Sequence, residues 1–452
     1  MTDHDVLLLV LDSVRHDRVS LFGHSRETTP SLDAFAEGAT VFENAYAPAS
    51  WTLPSHSSMF TGLFPSEHGV TNGFADETAQ LPEEVTPLAE RLSKRGYRTA
   101  GFSNNPWVGS VSGLDRGFDE YVEWDLRIGR DSGSGIHRPR DRLYSNVHTG
   151  LGYAARQPAF LIKRRFFTSN LVDRAVRWLE WTAEDDRPTF TFLNLMEAHS
   201  PYFPPRSAFR ELDLDSPGPI EPRLLNTKLL AYVLGKADLS PERRQRVLEY
   251  YDASLRYQDR KLDRLLDTLR RTGRFDDTLV IVCSDHGKTL GEYDRNGAPP
   301  HYVRDINTDV PLVVKTPGQE DDERIVDPAE LVGIHDLILD GGSPRNWLCA
   351  DEYALLEDFI PHTGRNRSDV TRWRTLCKPD RRYVRADTGA EYFLGEFDEG
   401  EFDEGGTETQ RESIRRAFEE RVRGLSRPTE QTESGDLDPA VEAQLTDLGY
   451  MK

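Results

Sequence analysis

Cysteine is scarce in this chain. Three in 452 residues, Cys283, Cys349 and Cys377, cannot build a dense disulfide framework, so stability has to come from a packed core. Lysine is scarce too, with nine among the 56 basic residues. Long apolar runs are missing. Val6–Leu11 spans six residues, short of a signal-peptide core and far short of the ~20 that a membrane-spanning helix needs. The reading is a cytoplasmic protein. A basic surplus is also missing: 56 − 77 gives −21, which argues against general nucleic-acid binding. An acidic, lysine-poor surface instead suits concentrated salt, where charges are screened within about 3 Å at 1 M. A halophilic protein is the expectation.

What is present supports a folded enzyme-sized chain. Hydrophobic residues make up 37% and aromatics 10%, and the length exceeds what one simple core accommodates. Val6–Leu11 is uninterrupted in its apolarity, as a strand buried on both faces should be. Similar runs follow at Phe190–Leu195, Leu279–Cys283 and Val310–Val314, with a weaker one at Thr99–Phe102. Amphipathic helical stretches lie between them, at Pro30–Gly38, Leu81–Lys94, Asn170–Glu184 and Pro241–Thr272. Strands alternating with helices predict an α/β fold with a mainly parallel central sheet flanked by helices. After about residue 320 the composition shifts. Residues 321–452 are expected to form a smaller C-terminal α+β subdomain, with a hairpin at Arg382–Glu396 around Thr388 and Gly389, an acidic loop at Glu396–Glu408, and a terminal helix near Pro439–Leu448.

Ligands of parallel sheets sit beyond the carboxyl ends of the strands, so the residues that follow each apolar run carry the information. Asp12 follows the first run. Met196, Glu197, Ala198 and His199 follow the second, and Ser284, Asp285, His286 and Gly287 the third. Two carboxylates and an imidazole delivered to one sheet edge form a set for a divalent ion, zinc or manganese better than calcium. Each aspartate alone serves equally well as a helix cap or turn residue; their joint placement favours the metal. A second segment, Trp51 to Gly62, places Thr52 just before a helix start whose first turn admits Pro54 and whose amides Ser55 or Ser57 would cap. A hydroxyl at a helix N-terminus beside a metal can act as a nucleophile.

These segments resemble the sulfatase family of the alkaline phosphatase superfamily. The opening Val10-Leu11-Asp12-Ser13 with Thr29-Pro30-Ser31-Leu32-Asp33, then Thr52-Leu53-Pro54-Ser55-His56 with Phe60-Thr61-Gly62 and His68-Gly69, are similar to its first metal motif and nucleophile signature. His199-Ser200-Pro201-Tyr202 resembles its mid-chain histidine motif. Ser284-Asp285-His286-Gly287, followed by Leu290-Gly291-Glu292 and His301, resembles its second metal motif. The likeness runs over about residues 6–320 and implies an alkaline phosphatase-like catalytic domain at 1–320. It implies one divalent ion (Mn, Zn or Ca) on Asp12, Thr52, Asp285 and His286, with Thr52 as nucleophile. His199 and His301 would bind ester oxygens or protonate the leaving group, and Asn105 and His56 would contact substrate.

Two departures redirect the chemistry. Sulfatases carry Cys or Ser where this chain has Thr52, and oxidise it to formylglycine. Threonine cannot give that aldehyde because its Cβ bears a methyl group, and a sulfated threonine lacks the elimination route. A phosphothreonine, by contrast, can be hydrolysed, so phosphate esters are favoured over sulfate esters. Ser13 also stands where the family often has a second aspartate, and His56 where it has arginine. The anionic ester substrate would carry a glycan or lipid head group. Competing readings are a sulfuric ester hydrolase, a head-group phosphotransferase, and a silent protein that binds anionic glycans. Residues 127–167 form a basic, aromatic stretch running from Arg127 to Phe167, read as a core-packed insertion, a substrate-recruiting lid, or the one place for membrane contact. If the acidic surface is an adaptation to salt, the unfolding midpoint rises as potassium chloride is brought from low to molar concentration; an optimum at low salt removes that reading.

Overall fold

The computed structural model describes residues 4–71, 80–123, 171–233, 236–292, 296–297, 304–359, 370–394 and 407–425. His301, the stretch 127–167, the acidic loop except for its last two residues and the terminal helix near Pro439 lie outside them. In chain order the described elements are β1 (Val6–Leu11), α1 (Pro30–Ala36), β2 (Thr40–Tyr46), α2 (Thr52–Thr61), α3 (Pro65–His68), α4 (Leu88–Lys94), β3 (Arg98–Ser103) and β4 (Glu120–Glu123). The helical residues 171–182 form α5. There follow β5 (Thr189–Leu195), α6 (Arg206–Glu211), α7 (Glu221–Val233), α8 (Pro241–Arg271), β6 (Leu279–Cys283), β7 (Thr289–Leu290), β8 (Asn296–Gly297), α9 (Asp305–Thr308) and β9 (Asp309–Lys315). The rest are β10 (Glu323–Ile325), β11 (Ala329–Glu330), α10 (Ile334–Asp340), α11 (Pro344–Leu348), β12 (Ala354–Phe359), β13 (Arg372–Lys378), β14 (Arg381–Ala386), β15 (Glu391–Leu394) and α12 (Glu408–Arg423).

Nine strands make the central sheet, in the order β10-β2-β9-β6-β1-β5-β3-β4, with β11 also on β2. All pairings are parallel except those of β9, which runs against both β2 and β6. The register of β1 shows why its sequence is apolar throughout. Leu7, Leu9 and Leu11 enter one core beneath α5, α6 and α8, while Val6, Leu8 and Val10 enter another beneath α2, α4 and α10. A strand with a core on each face has no polar side to show. Because β2, β6, β1, β5 and β3 all point the same way, their carboxyl ends share one edge, and the site forms there.

Local chemistry shifts some boundaries. The expected helix over Leu81–Lys94 is confined to Leu88–Lys94, since Pro82 and Pro87 break the stretch before it. The hairpin at 382–396 is present as β14 and β15, and with β12 and β13 it makes a four-stranded antiparallel sheet that packs on α12 through Leu355, Leu376, Tyr383, Ile414 and Phe418. β10 and β11 extend the large sheet before that smaller layer begins. Among the described residues no helix is long and apolar enough to cross a membrane.

A buried histidine joins α2 to α3. His68 Nδ1 accepts from the Val70 amide at 3.0 Å, so its proton sits on Nε2 and bonds to Ser58 Oγ at 3.0 Å. Burial drives its pKa down to about 3. The unfolded chain takes up this proton below about pH 6.5 and the folded chain refuses it, so His68 subtracts stability as pH falls through that window. Denaturant titrations at pH 7 and pH 5 should show His68→Asn reducing the acid loss by ~2 kcal/mol relative to wild type.

Candidate active site and metal centre

Asp12 leaves β1, Asn105 follows β3, His199 follows β5, and Asp285 and His286 follow β6. Thr52 opens α2. These ends converge. One ligand atom each from Asp12, Asp285 and His286 lies within 4.8 Å of the others, and all three residues are buried.

The two carboxylates are held differently. Asp12 accepts from Ser13 Oγ at 2.8 Å on one oxygen, and from Asn105 Nδ2 at 2.8 Å and Asn194 Nδ2 at 3.2 Å on the other. Burial alone would raise its pKa, but His199, His286, the Asn105 bond and His56 outweigh burial and bring it to about 2. Asp285 accepts from the amides of Ser13 and His286, both at 3.0 Å, on Oδ1. Its Oδ2 is buried with no hydrogen-bond partner, 3.5 Å from His56 Nδ1 and 3.4 Å from His286 Nε2. Burial, and then Asp12 beside it, push Asp285 up to about 7.

The imidazole is oriented by its neighbour. His286 Nδ1 donates to Gly287 O at 2.6 Å, which leaves Nε2 as a bare lone pair 3.1 Å from Thr52 Oγ1. Burial lowers its pKa to about 4, so it stays neutral and able to ligate. Gly287 has no alternative here, because a Cβ would stand 2.0 Å from Ile306 O. Asp285 Oδ2 and His286 Nε2, 3.4 Å apart, with Thr52 Oγ1 at 3.1 Å from the imidazole, offer oxygen and nitrogen ligands that fit a divalent ion.

Thr52 is fully buried and is the first residue of α2, not the residue before it as its sequence context implied. Asn105 Nδ2 lies 3.5 Å from its Oγ1. The serines do not cap this helix as expected. Ser55 Oγ donates to Asp285 O at 2.7 Å, tying α2 to the β6 loop, and Ser57 Oγ donates within the helix to Leu53 O. His56 is buried, with Nδ1 donating to Thr52 O at 3.0 Å and burial lowering its pKa. His199 bonds through Nδ1 to Ser200 O at 2.6 Å and stands close enough to Asp12 to lower its pKa.

Asn194 was missed by the reading of the sequence. It is an amide inside the fully buried strand Thr189–Leu195, and a buried polar group in such a strand signals a partner to be found. Lys288 was missed as well; it is buried, donates to Ala198 O at 3.3 Å and lies over the Tyr202 ring.

The family model for sulfatases matches residues 4–337. The chain belongs to the sulfatase family. It is 27% identical over 325 residues to an ulvan-active sulfatase of Formosa agariphila, covering 70% of this chain and 57% of that one. It is 28% identical over 285 residues to a choline-sulfatase of Rhizobium meliloti, covering 58% and 53%. The chain thus spans little more than half the length of these relatives. The phosphonate monoester hydrolase of Agrobacterium radiobacter superposes with a TM-score of 0.69 at 18% identity, over 93% of this chain and 95% of that one, and shares its fold. This sulfatase-family chain therefore carries the alkaline phosphatase-like architecture expected from its sequence.

Asp285, raised first by burial and then by Asp12 beside it, opposes folding at neutral pH. Asp285→Asn should therefore stabilise the metal-free protein by roughly 1 kcal/mol or more while abolishing the gain in melting temperature on adding manganese or zinc. Thermal scans with and without metal check both; a variant that still responds to metal removes Asp285 from the ligand set.

Proposed function

We propose that the chain is a metal-dependent ester hydrolase in which Thr52 is the nucleophile and phosphate-type esters are preferred to sulfate esters. The observation that supports this is the position of Thr52 Oγ1, 3.1 Å from His286 Nε2 at the edge of the Asp12–Asp285–His286 cluster. A divalent ion held by these three side chains and Thr52 would act as a Lewis acid, stabilising the threonine alkoxide and drawing charge from the ester oxygens.

The chain's own residues account for the rest. Thr52 Oγ, its proton lost to solvent, bonds to phosphorus as the bond to the leaving alcohol breaks, and water later cleaves the Thr52 Oγ–P bond, releasing the monoester from a diester or the phosphonate from a phosphonate monoester. We assign the leaving-group proton to His199, whose Nδ1 donates to Ser200 O. Asn105 bridges Asp12 and Thr52 and so orients the nucleophile. His56, buried and with a lowered pKa, brings no fixed charge where the family has arginine. A site with one cation fewer suits a singly charged ester over a phosphate monoester dianion: among phosphorus esters a phosphodiester or a phosphonate monoester, the latter the class named for the structural neighbour. The names of the relatives favour sulfate esters as the second reading.

With manganese or zinc added, turnover should rank bis-p-nitrophenyl phosphate above p-nitrophenyl phosphate and both above p-nitrophenyl sulfate. Thr52→Ala should lower kcat on the order of 10³-fold or more. Faster sulfate turnover would establish the second reading, and an unimpaired Thr52→Ala would remove the nucleophile.

A further inference from the structure

Asp12 and Asp285 keep a fixed relation although they come from strands 273 positions apart in the chain and carry like charge. One residue touches both. Ser13 donates its hydroxyl to Asp12 Oδ1 at 2.8 Å and its amide to Asp285 Oδ1 at 3.0 Å. It does so from a left-handed backbone, φ 61°, which a non-glycine residue adopts at a cost of about 1 kcal/mol or more.

Something has to hold that conformation. Tyr251, fully buried on the long helix α8, donates its hydroxyl proton to Ser13 O at 2.8 Å and accepts the Arg15 amide at 2.9 Å. A single phenol oxygen thereby grips the backbone on both sides of Val14. From the other side Val14 N donates to Ser284 Oγ at 2.8 Å, linking the same turn to the β6 loop that carries Asp285.

We propose that Ser13, locked by Tyr251, is a positioning residue for the metal ligands: it sets the separation of Asp12 and Asp285 and turns the free oxygen of Asp285 towards the ion. This rests on the reading of Asp12, Asp285 and His286 as a divalent-ion site. Where the family often has a second aspartate, this chain uses a hydroxyl that orients a ligand instead of adding one.

The test is manganese binding by calorimetry to the metal-stripped full chain, alongside its metal-free unfolding midpoint. Tyr251→Phe and Ser13→Ala should each weaken manganese binding by about tenfold or more, the scale typical of lost partners of metal ligands. The double variant should be little worse than the weaker single one, because both remove one device. Tyr250→Phe, equally buried on the same helix and packed edge-on against Phe209, should bind as wild type does. Wild-type affinity in Tyr251→Phe and Ser13→Ala, with or without a lower midpoint, overturns the proposal and leaves the hydrolase reading standing. A wild type that binds neither manganese, zinc nor calcium overturns both. Should Tyr251→Phe fail to fold, Ser13→Ala decides by the same criterion.

Discussion

Burial of two like charges at the end of a sheet is the constraint around which this structure is arranged. A carboxylate taken out of water costs several kcal/mol unless it is paired or hydrogen-bonded, and a second one beside it adds repulsion. The chain answers the two unequally. Asp12 is surrounded by neutral donors, Ser13, Asn105 and Asn194, which stabilise its charge without cancelling it. Asp285 keeps one oxygen unbonded and is pushed towards neutrality. Neutral donors around one and an orphaned oxygen on the other leave the negative charge available to a cation from outside the chain. An arginine in the same place would stabilise folding and remove the site.

Such an arrangement needs rigid walls, and two distant parts of the chain supply them. The helix α8 reaches several active loops. Tyr251 holds the turn after β1, Gln258 donates to Leu195 O at the end of β5, and Lys261 pairs with Glu197 beside His199. Asp259 of the same helix accepts the amides of Ser31 and Leu32 at the start of α1. The smaller sheet supports the start of α2. Asp358 of β12 accepts from Ser50 Oγ at 2.6 Å, and the Glu357 amide donates to Pro48 O, so the loop that leads into Thr52 is fastened from behind. Buried Arg382 of β14 pairs with Asp309 and donates to Thr308, tying the same sheet to β9. Loops that must hold a charge cluster are thus anchored on long, well-packed elements, which is what precise positioning requires.

Much of this was legible in the residues. Strands buried on both faces announce themselves as apolar runs, and β1, β5, β6 and β9 were found within a residue or so. The residues just past them carried the acids and imidazoles that converge. What escaped follows from physics that a linear reading does not weigh. β2 was overlooked because Glu43 and Asn44 interrupt it at a register shift, where half-buried positions tolerate polarity. The serines of α2 were read as caps because their spacing fits, yet their hydroxyls found a carbonyl across the fold and one within the helix. Tyr251, Asn194 and Lys288 act through tertiary contacts to loops far away in the chain, and nothing local to them marks that role. α12 follows an acidic stretch with a buried stripe reduced to Ile414 and Phe418, too sparse to declare a core-facing helix from pattern alone.

Position 52 is where the fold and the chemistry part company. The fold and the family are those of sulfatases, but the side chain at the head of α2 is one that cannot be oxidised to an aldehyde. Its surroundings accommodate an alcohol: Oγ1 has the His286 nitrogen at 3.1 Å and the Asn105 amide at 3.5 Å. As a nucleophile, a threonine hydroxyl would need no maturation after folding, and the ester it forms would be cleared by hydrolysis alone. Phosphorus accepts a second attack at the same centre, whereas a sulfated alcohol released without elimination is a poor intermediate. Under the function proposed above, the exchange of one side chain for another in a tightly held helix would move the preferred central atom from sulfur to phosphorus without moving the scaffold.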